Sequence, residues 1–176
     1  MHVNAKIVAM GGLMLAFTEV CISLGSVIES NTLLLLAAAS FMVGIMIREA
    51  GLRAGGCFCA SGVLLSILIA PNKFYVLSYA GMSLYIILRE TAWEMIAKDS
   101  GKTKGSKRFW LMKLIAFNVI YLTGISAGWK LFVAREVSWQ LVLGIVAAGQ
   151  FGFWIYDMAY EYVQSQIWTK IRNKLL

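Results

Sequence analysis

Long apolar blocks separated by short polar breaks run the length of the chain. They cover residues 4–25, 32–47, 54–70, 74–92, 109–132 and 137–160. A helix needs about 20 mostly apolar residues to cross a bilayer. Each block therefore predicts a transmembrane helix, that of 32–47 short enough to cross only without tilt. The breaks carry residues that stop helices or hold water. Glu29 lies in the first, and Arg48, Glu49, Gly51 and Arg53 in the second. In the third, Pro71-Asn72-Lys73, proline cannot continue a helix and asparagine suits a turn. The fourth, 98–108, predicts a basic aqueous loop that separates four blocks from two. After the last block, Ile167, Trp168, Ile171 and Leu175 form an apolar stripe opposite Lys170, Arg172 and Lys174. That pattern predicts an amphipathic tail over 161–176 lying in the membrane interface. The expected architecture is an all-α integral membrane protein, a six-transmembrane-helix bundle that forms one membrane domain over residues 1–176.

The first block organises the rest. At about 100° per residue, Ala5, Ala9, Gly12, Ala16, Glu19 and Ser23 fall on one narrow stripe, and the rest of the circumference is Ile, Val, Met, Leu and Phe. Small side chains let a second helix backbone come close, which is how helices associate where lipid leaves no hydrophobic drive. A carboxyl at mid-membrane costs about 2.5–3.5 kcal/mol on insertion scales, so Glu19 is expected to face protein or a cavity. Two readings of the stripe stand side by side. It packs internally around a neutral or paired Glu19, or it is a docking face that leads into a polar pocket. The block reads as an uncleaved first span and not as a signal peptide: its only preceding base is Lys6, and no A-x-A cleavage site follows.

Composition agrees with the pattern. Of 176 residues, 60% are hydrophobic and 14% charged, with a single proline, which is the profile of a membrane protein. The net charge of +7 comes from 16 basic and 9 acidic residues, and their placement says more than their sum. With the N-terminus in the cytoplasm, thirteen bases fall in inner segments and three (Lys73, Lys130 and Arg135) in outer ones. That asymmetry places both termini in the cytoplasm and reads the basic excess as a topology signal, with no nucleic-acid partner. Cys21, Cys57 and Cys59 are taken as small membrane-buried residues, since Cys57 and Cys59 would point about 200° apart on a helix and could not clamp one metal.

The inventory of reactive groups excludes several classes. His2 is the only histidine, which removes Ser–His catalysis and the zinc-protease motifs. An intramembrane aspartyl protease needs two aspartates at depth, and only Asp99, in the loop, and Asp157 are present. No acid cluster suits a divalent metal. Gly101-Lys102-Thr103 is not a phosphate loop, because the motif's first glycine would fall at Ile96 and no strand precedes it. The expectation is a protein without catalytic residues, metal or cofactor, unable to fuel transport alone.

What remains is scattered polarity suited to a small, flat, polar-edged ligand. The candidate binding residues are Glu19, Asn72, Tyr79, Tyr121 and Gln140, all expected in the outer half of the bundle. Asn118 and Gln150, nearer the midplane, can instead simply bond across helices.

Several features together resemble a known family. They are the length, six spans, inner termini, the basic loop between spans four and five, Ala5-x-x-x-Ala9 and Gly12-x-x-x-Ala16 on the first helix, and Pro71-Asn72-Lys73 followed by Ser78-Tyr79, Tyr85 and Arg89-Glu90. The chain is similar to the substrate-binding membrane subunit, or S component, of energy-coupling factor transporters for vitamins and related micronutrients. The resemblance implies capture of a micronutrient in the outer half. It also implies that Ala5, Ala9, Gly12 and Ala16 dock a separate transmembrane coupling protein, which two cytoplasmic ATPases drive in the cell membrane. The alternative is an interaction protein, a small multi-spanning scaffold of the cell-envelope machinery, which needs no pocket.

Overall fold

The computed structural model describes residues 5–100, 107–132 and 139–175, with residues 29, 98–100, 127–132, 139, 141–143 and 173–175 described as backbone only. The chain is all-α. Six long helices follow one another: α1 (Ala5–Val27), α2 (Thr32–Ala50), α3 (Leu52–Ile69), α4 (Lys73–Ser100), α5 (Lys107–Phe132) and α6 (Trp139–Tyr162). A π-helical turn, Val163–Trp168, joins α6 to a short α7 (Thr169–Leu175). Of the described helices, four are long and apolar enough to cross a membrane: α1, α2, α3 and the Lys107–Ser126 part of α5. The other two long helices carry charge, Arg89, Glu90 and Glu94 on α4 and Asp157 and Glu161 on α6, and are not among the four.

Helix boundaries depart from the apolar blocks where polar residues continue a helix. α4 runs on through the charged stretch to Ser100, and α5 begins at Lys107, so both flanks of the expected 98–108 loop are helical. Lys102 and Lys104 in that loop, His2 and Arg135 lie outside the described residues. The expected tail over 161–176 begins inside α6 and continues it through the π-helical turn.

Two compact units divide the chain, 1–113 and 114–176. In the first, α2 packs against α1, α3 and α4, and α1 also meets α3 and α4. Each helix buries one line of residues at spacings of three and four. The lines are Met14, Thr18, Cys21, Ile22 and Gly25 on α1; Leu36, Ala39, Ser40, Val43 and Ile47 on α2; Gly55, Phe58, Gly62 and Ser66 on α3; and Val76, Tyr79, Ser83, Ile86 and Glu90 on α4. Close approach depends on glycine at Gly55, where any side chain would run into Ile47.

The turns are short and tied. Thr32 Oγ1 donates to Gly25 O at 2.8 Å and binds the start of α2 to the end of α1. Gly51 alone joins α2 to α3, at φ +89°, a left-handed conformation that glycine adopts without a Cβ clash. At the α3–α4 turn, Lys73 Nζ donates to the carbonyls of Ile67 and Ala70, and Asn72 Oδ1 accepts from Phe74 N at 3.0 Å and caps α4.

In the second unit, Gln150 Nε2 donates to Asn118 Oδ1 at 2.7 Å, a cross-helix bond between α6 and α5. Phe117 stacks on Tyr121 and on Phe153, with ring centroids 5.1 and 4.3 Å apart. Large apolar side chains stay on the outside of this unit, among them Ile115, Val119 and Leu122 on α5 and Phe151, Ile155 and Met158 on α6.

Candidate functional site

Three helices of the first unit bring polar groups to one interior region. α1 supplies Glu19, α3 supplies Cys59, Gly62 and Ser66, and α4 supplies Tyr79 and Ser83 one turn apart. Glu19 is 7% exposed, and Thr18, Ser66, Tyr79 and Ser83 are fully buried. Ser66 Oγ stands 3.0 Å from both carboxyl oxygens of Glu19 and donates to the carboxyl group. Tyr79 faces Ser83, Cys59 and Glu19. Its hydroxyl reaches that position because residue 62 is glycine, where a Cβ would stand 2.6 Å from Tyr79 Oη.

This cluster holds more hydrogen-bonding capacity than it uses. Tyr79 Oη and Ser83 Oγ in it are sealed from solvent and have no hydrogen-bond partner, and the same holds for Thr18 Oγ1 on the buried line of α1. Tyr79 and Ser83 face one another without reaching bonding geometry. A buried polar group without a partner costs about 1–3 kcal/mol, and native interiors leave few of them.

The sequence-derived candidates separate. Glu19 and Tyr79 share the interior cluster. Asn72 caps α4 at the α3–α4 turn. Tyr121 belongs to the second unit, where its hydroxyl donates to Ile145 O at 2.8 Å with its ring lying directly against Gly149. Gln140 begins α6 and is exposed. The small-residue stripe also divides. Ala5, Ala9, Gly12 and Ala16 are exposed, and nothing lies within 4 Å of a Cβ placed at Gly12. Glu19 does not continue that stripe. It sits at the margin of the buried line and turns inward to Ser66. The cysteines are free; Cys21 is buried among the helices, Cys59 is half-buried, and Cys57 lies on the outer surface of α3.

Thr18, Ser66 and Ser83 escaped the sequence reading. Serine and threonine on apolar helices usually satisfy themselves on their own backbone. Only the seven-residue step from Cys59 to Ser66 and the four-residue step from Tyr79 to Ser83 marked a shared face.

A second buried polar set occupies the far end of the α2 and α4 lines. Arg48 donates to Glu90 through Nε at 3.2 Å and Nη2 at 2.7 Å, and Arg89 Nη1 donates to the same carboxylate at 2.9 Å. Arg89 is 2% exposed and lies 5.7 Å from the Phe109 ring centroid. Trp93 meets that ring edge-on, and Lys113 lies 5.1 Å from its centroid. Opposite charges at the C-terminal ends of two apolar blocks were the available sequence signal for this pairing.

Among the described residues no three His, Cys, Asp or Glu side chains group as a metal site. No family model, curated protein or solved structure matches the chain.

Proposed function

We propose that the chain is the substrate-capturing membrane subunit of an importer for a small micronutrient, of the energy-coupling factor type, residing in the cell membrane. In this reading all six long helices cross the bilayer with both termini in the cytoplasm, and the α1–α2 and α3–α4 turns face outward. The observation that carries the reading is the interior cluster around Glu19 and Tyr79, where a carboxyl group and two unpartnered hydroxyls sit inside an apolar helix unit. A scaffold has no use for such groups, whereas a ligand that bonds to them offsets their cost. The site in this reading centres on Glu19, Tyr79 and Ser83 in the first unit. Asn72, engaged as a helix cap, and Tyr121, bonded to Ile145, do not contribute their polar groups to it.

The exposed Ala5, Ala9, Gly12 and Ala16 stripe supplies the docking face for a transmembrane coupling protein that two ATPases drive. The same stripe favours a second reading, an accessory scaffold that uses it to hold a partner and binds no small molecule. Mass spectrometry of small molecules co-purifying with detergent-solubilised protein separates the two. A stoichiometric compound that disappears in Tyr79→Ala supports capture; clean protein with a retained membrane partner supports the scaffold. Ala9→Leu and Ala16→Leu are expected to leave compound binding intact and stop uptake. Normal uptake in both variants removes the stripe as the docking face.

A further inference from the structure

The π-helical turn Val163–Trp168 carries the helix out of α6 and into α7. In the proposed topology α6 crosses the bilayer, and its 24 residues cover about 36 Å against a hydrocarbon core of about 30 Å. The turn then falls at the membrane surface, and π turns are places where helix axes change direction. One of its carbonyls is taken up locally, since Thr169 Oγ1 donates to Gln164 O at 3.2 Å. Ile167 and Ile171 stand one turn apart and are 44% and 41% exposed. Leu175 holds the next position on that line. At about 100° per residue, Lys170 and Lys174 fall on one edge of this apolar line and Arg172 on the other. The bases flank the line and do not sit behind it. Lys170 and Arg172 are exposed, and residues 163–176 contain no acid.

We infer that the segment from Val163 to Leu175 is a docking surface for an anionic lipid bilayer, held in the headgroup layer beside the end of α6. The placement of charge selects this occupant. Isoleucines along one line enter the acyl boundary, while lysine and arginine stems lie along the apolar surface and carry their charged ends to lipid phosphates on both sides. A second copy of the chain would instead set Lys170, Arg172 and Lys174 against the same three bases. Each base near an anionic surface is worth about fivefold in the docked population, so three together are worth roughly 100-fold. With both termini in the cytoplasm, the surface is that of the cytoplasmic leaflet, where anionic lipids attract basic segments. The inference rests on a membrane-spanning α6 and not on the importer reading, since a scaffold would dock in the same way.

The test is amide hydrogen exchange, read by mass spectrometry on the full-length protein in nanodiscs of phosphatidylcholine alone or of phosphatidylcholine mixed with phosphatidylglycerol. In peptides covering residues 163–176, exchange is expected to be about tenfold slower or more in the anionic discs at about 0.15 M salt. At about 1 M salt, where charges are screened within about 3 Å, the two lipids are expected to give the same rate. Peptides from α1 to α4 are the internal control and are expected to exchange alike in both lipids. Lys170→Gln combined with Arg172→Gln is expected to remove most of the slowing, and Lys170→Arg to keep it. Equal exchange in the two lipids overturns the proposal, as does a slowing that survives the double variant or about 1 M salt. Protection that is equal in both lipids and vanishes in discs holding a single copy also overturns it, and assigns the surface to a second chain. No micronutrient or coupling protein enters this measurement, so its failure leaves the importer reading standing, and failure to recover a micronutrient leaves a lipid-dependent exchange standing.

Discussion

At one end of the α1–α4 unit Glu90 lies between two guanidinium groups and accepts hydrogen bonds from Arg48 and Arg89, with Phe109 lying against Arg89. Toward the other end, Glu19 takes a hydrogen bond from a single hydroxyl, and the nearby Tyr79 and Ser83 hydroxyls have no partner. Both acids are buried, at 4% and 7% exposure, and both sit on helices packed in the same unit. The difference is in completion. The Glu90 set gives its carboxylate guanidinium donors from both α2 and α4, so it fastens those helices. The Glu19 set has an unbalanced acid and idle oxygens, which the fold alone has no reason to keep. A saturated network serves the architecture, whereas the unsaturated one is where the proposed ligand would bond.

The comparison breaks most sharply at Glu90. Glu90→Ala leaves Arg48 and Arg89 without the carboxylate they share and is expected to destabilise the first unit by about 3–5 kcal/mol. Thermal unfolding in detergent should show the loss clearly. A melting temperature close to the parent's would mean that the Arg48–Glu90 pair does not hold the helices together.

Gly62→Ala is expected to cost about 1–3 kcal/mol, because the new methyl meets the Tyr79 hydroxyl and displaces the ring. The same assay reads it, and Gly62→Ala combined with Tyr79→Phe should recover most of the loss. Without recovery in the double variant, Tyr79 is not what residue 62 accommodates.

The smallest effect sharpens the comparison further. Tyr79→Phe removes a hydroxyl with no partner, so the apo protein is expected to change by less than about 0.5 kcal/mol or to gain slightly. A loss of about 1 kcal/mol or more would show that the hydroxyl is satisfied in the apo protein, and the Glu19 cluster would then resemble the Glu90 cluster.

The amino-acid sequence by itself determined the helices and most of their ends. Apolar run length set each one, Pro71 ended α3 with Asn72 placed to cap α4, and Gly51 turned α2 into α3. Where charge entered a helix without breaking it, as through Lys98 in α4, composition misread the boundary, because lysine and glutamate are good helix formers. Asn118 and Gln150 were legible as residues that bond across helices, and the structure makes them each other's partner.

Which side of each helix faces protein was decided only by the tertiary structure. In a soluble helix the polar face marks the outside, but a lipid-facing surface is as apolar as a packed one, so α1 carries almost no periodic signal of its own. The wheel placed Glu19 with Ala5, Ala9, Gly12 and Ala16. In the fold those four lie exposed, and Glu19 crosses the margin to meet Ser66, which is 47 residues away. Arg48 finds Glu90 over a separation of 42 residues. Such pairings depend on how each helix is rotated about its own axis, and that rotation is set by packing contacts such as Gly55 on Ile47 and Gly62 on Tyr79, which become visible only once the helices are together.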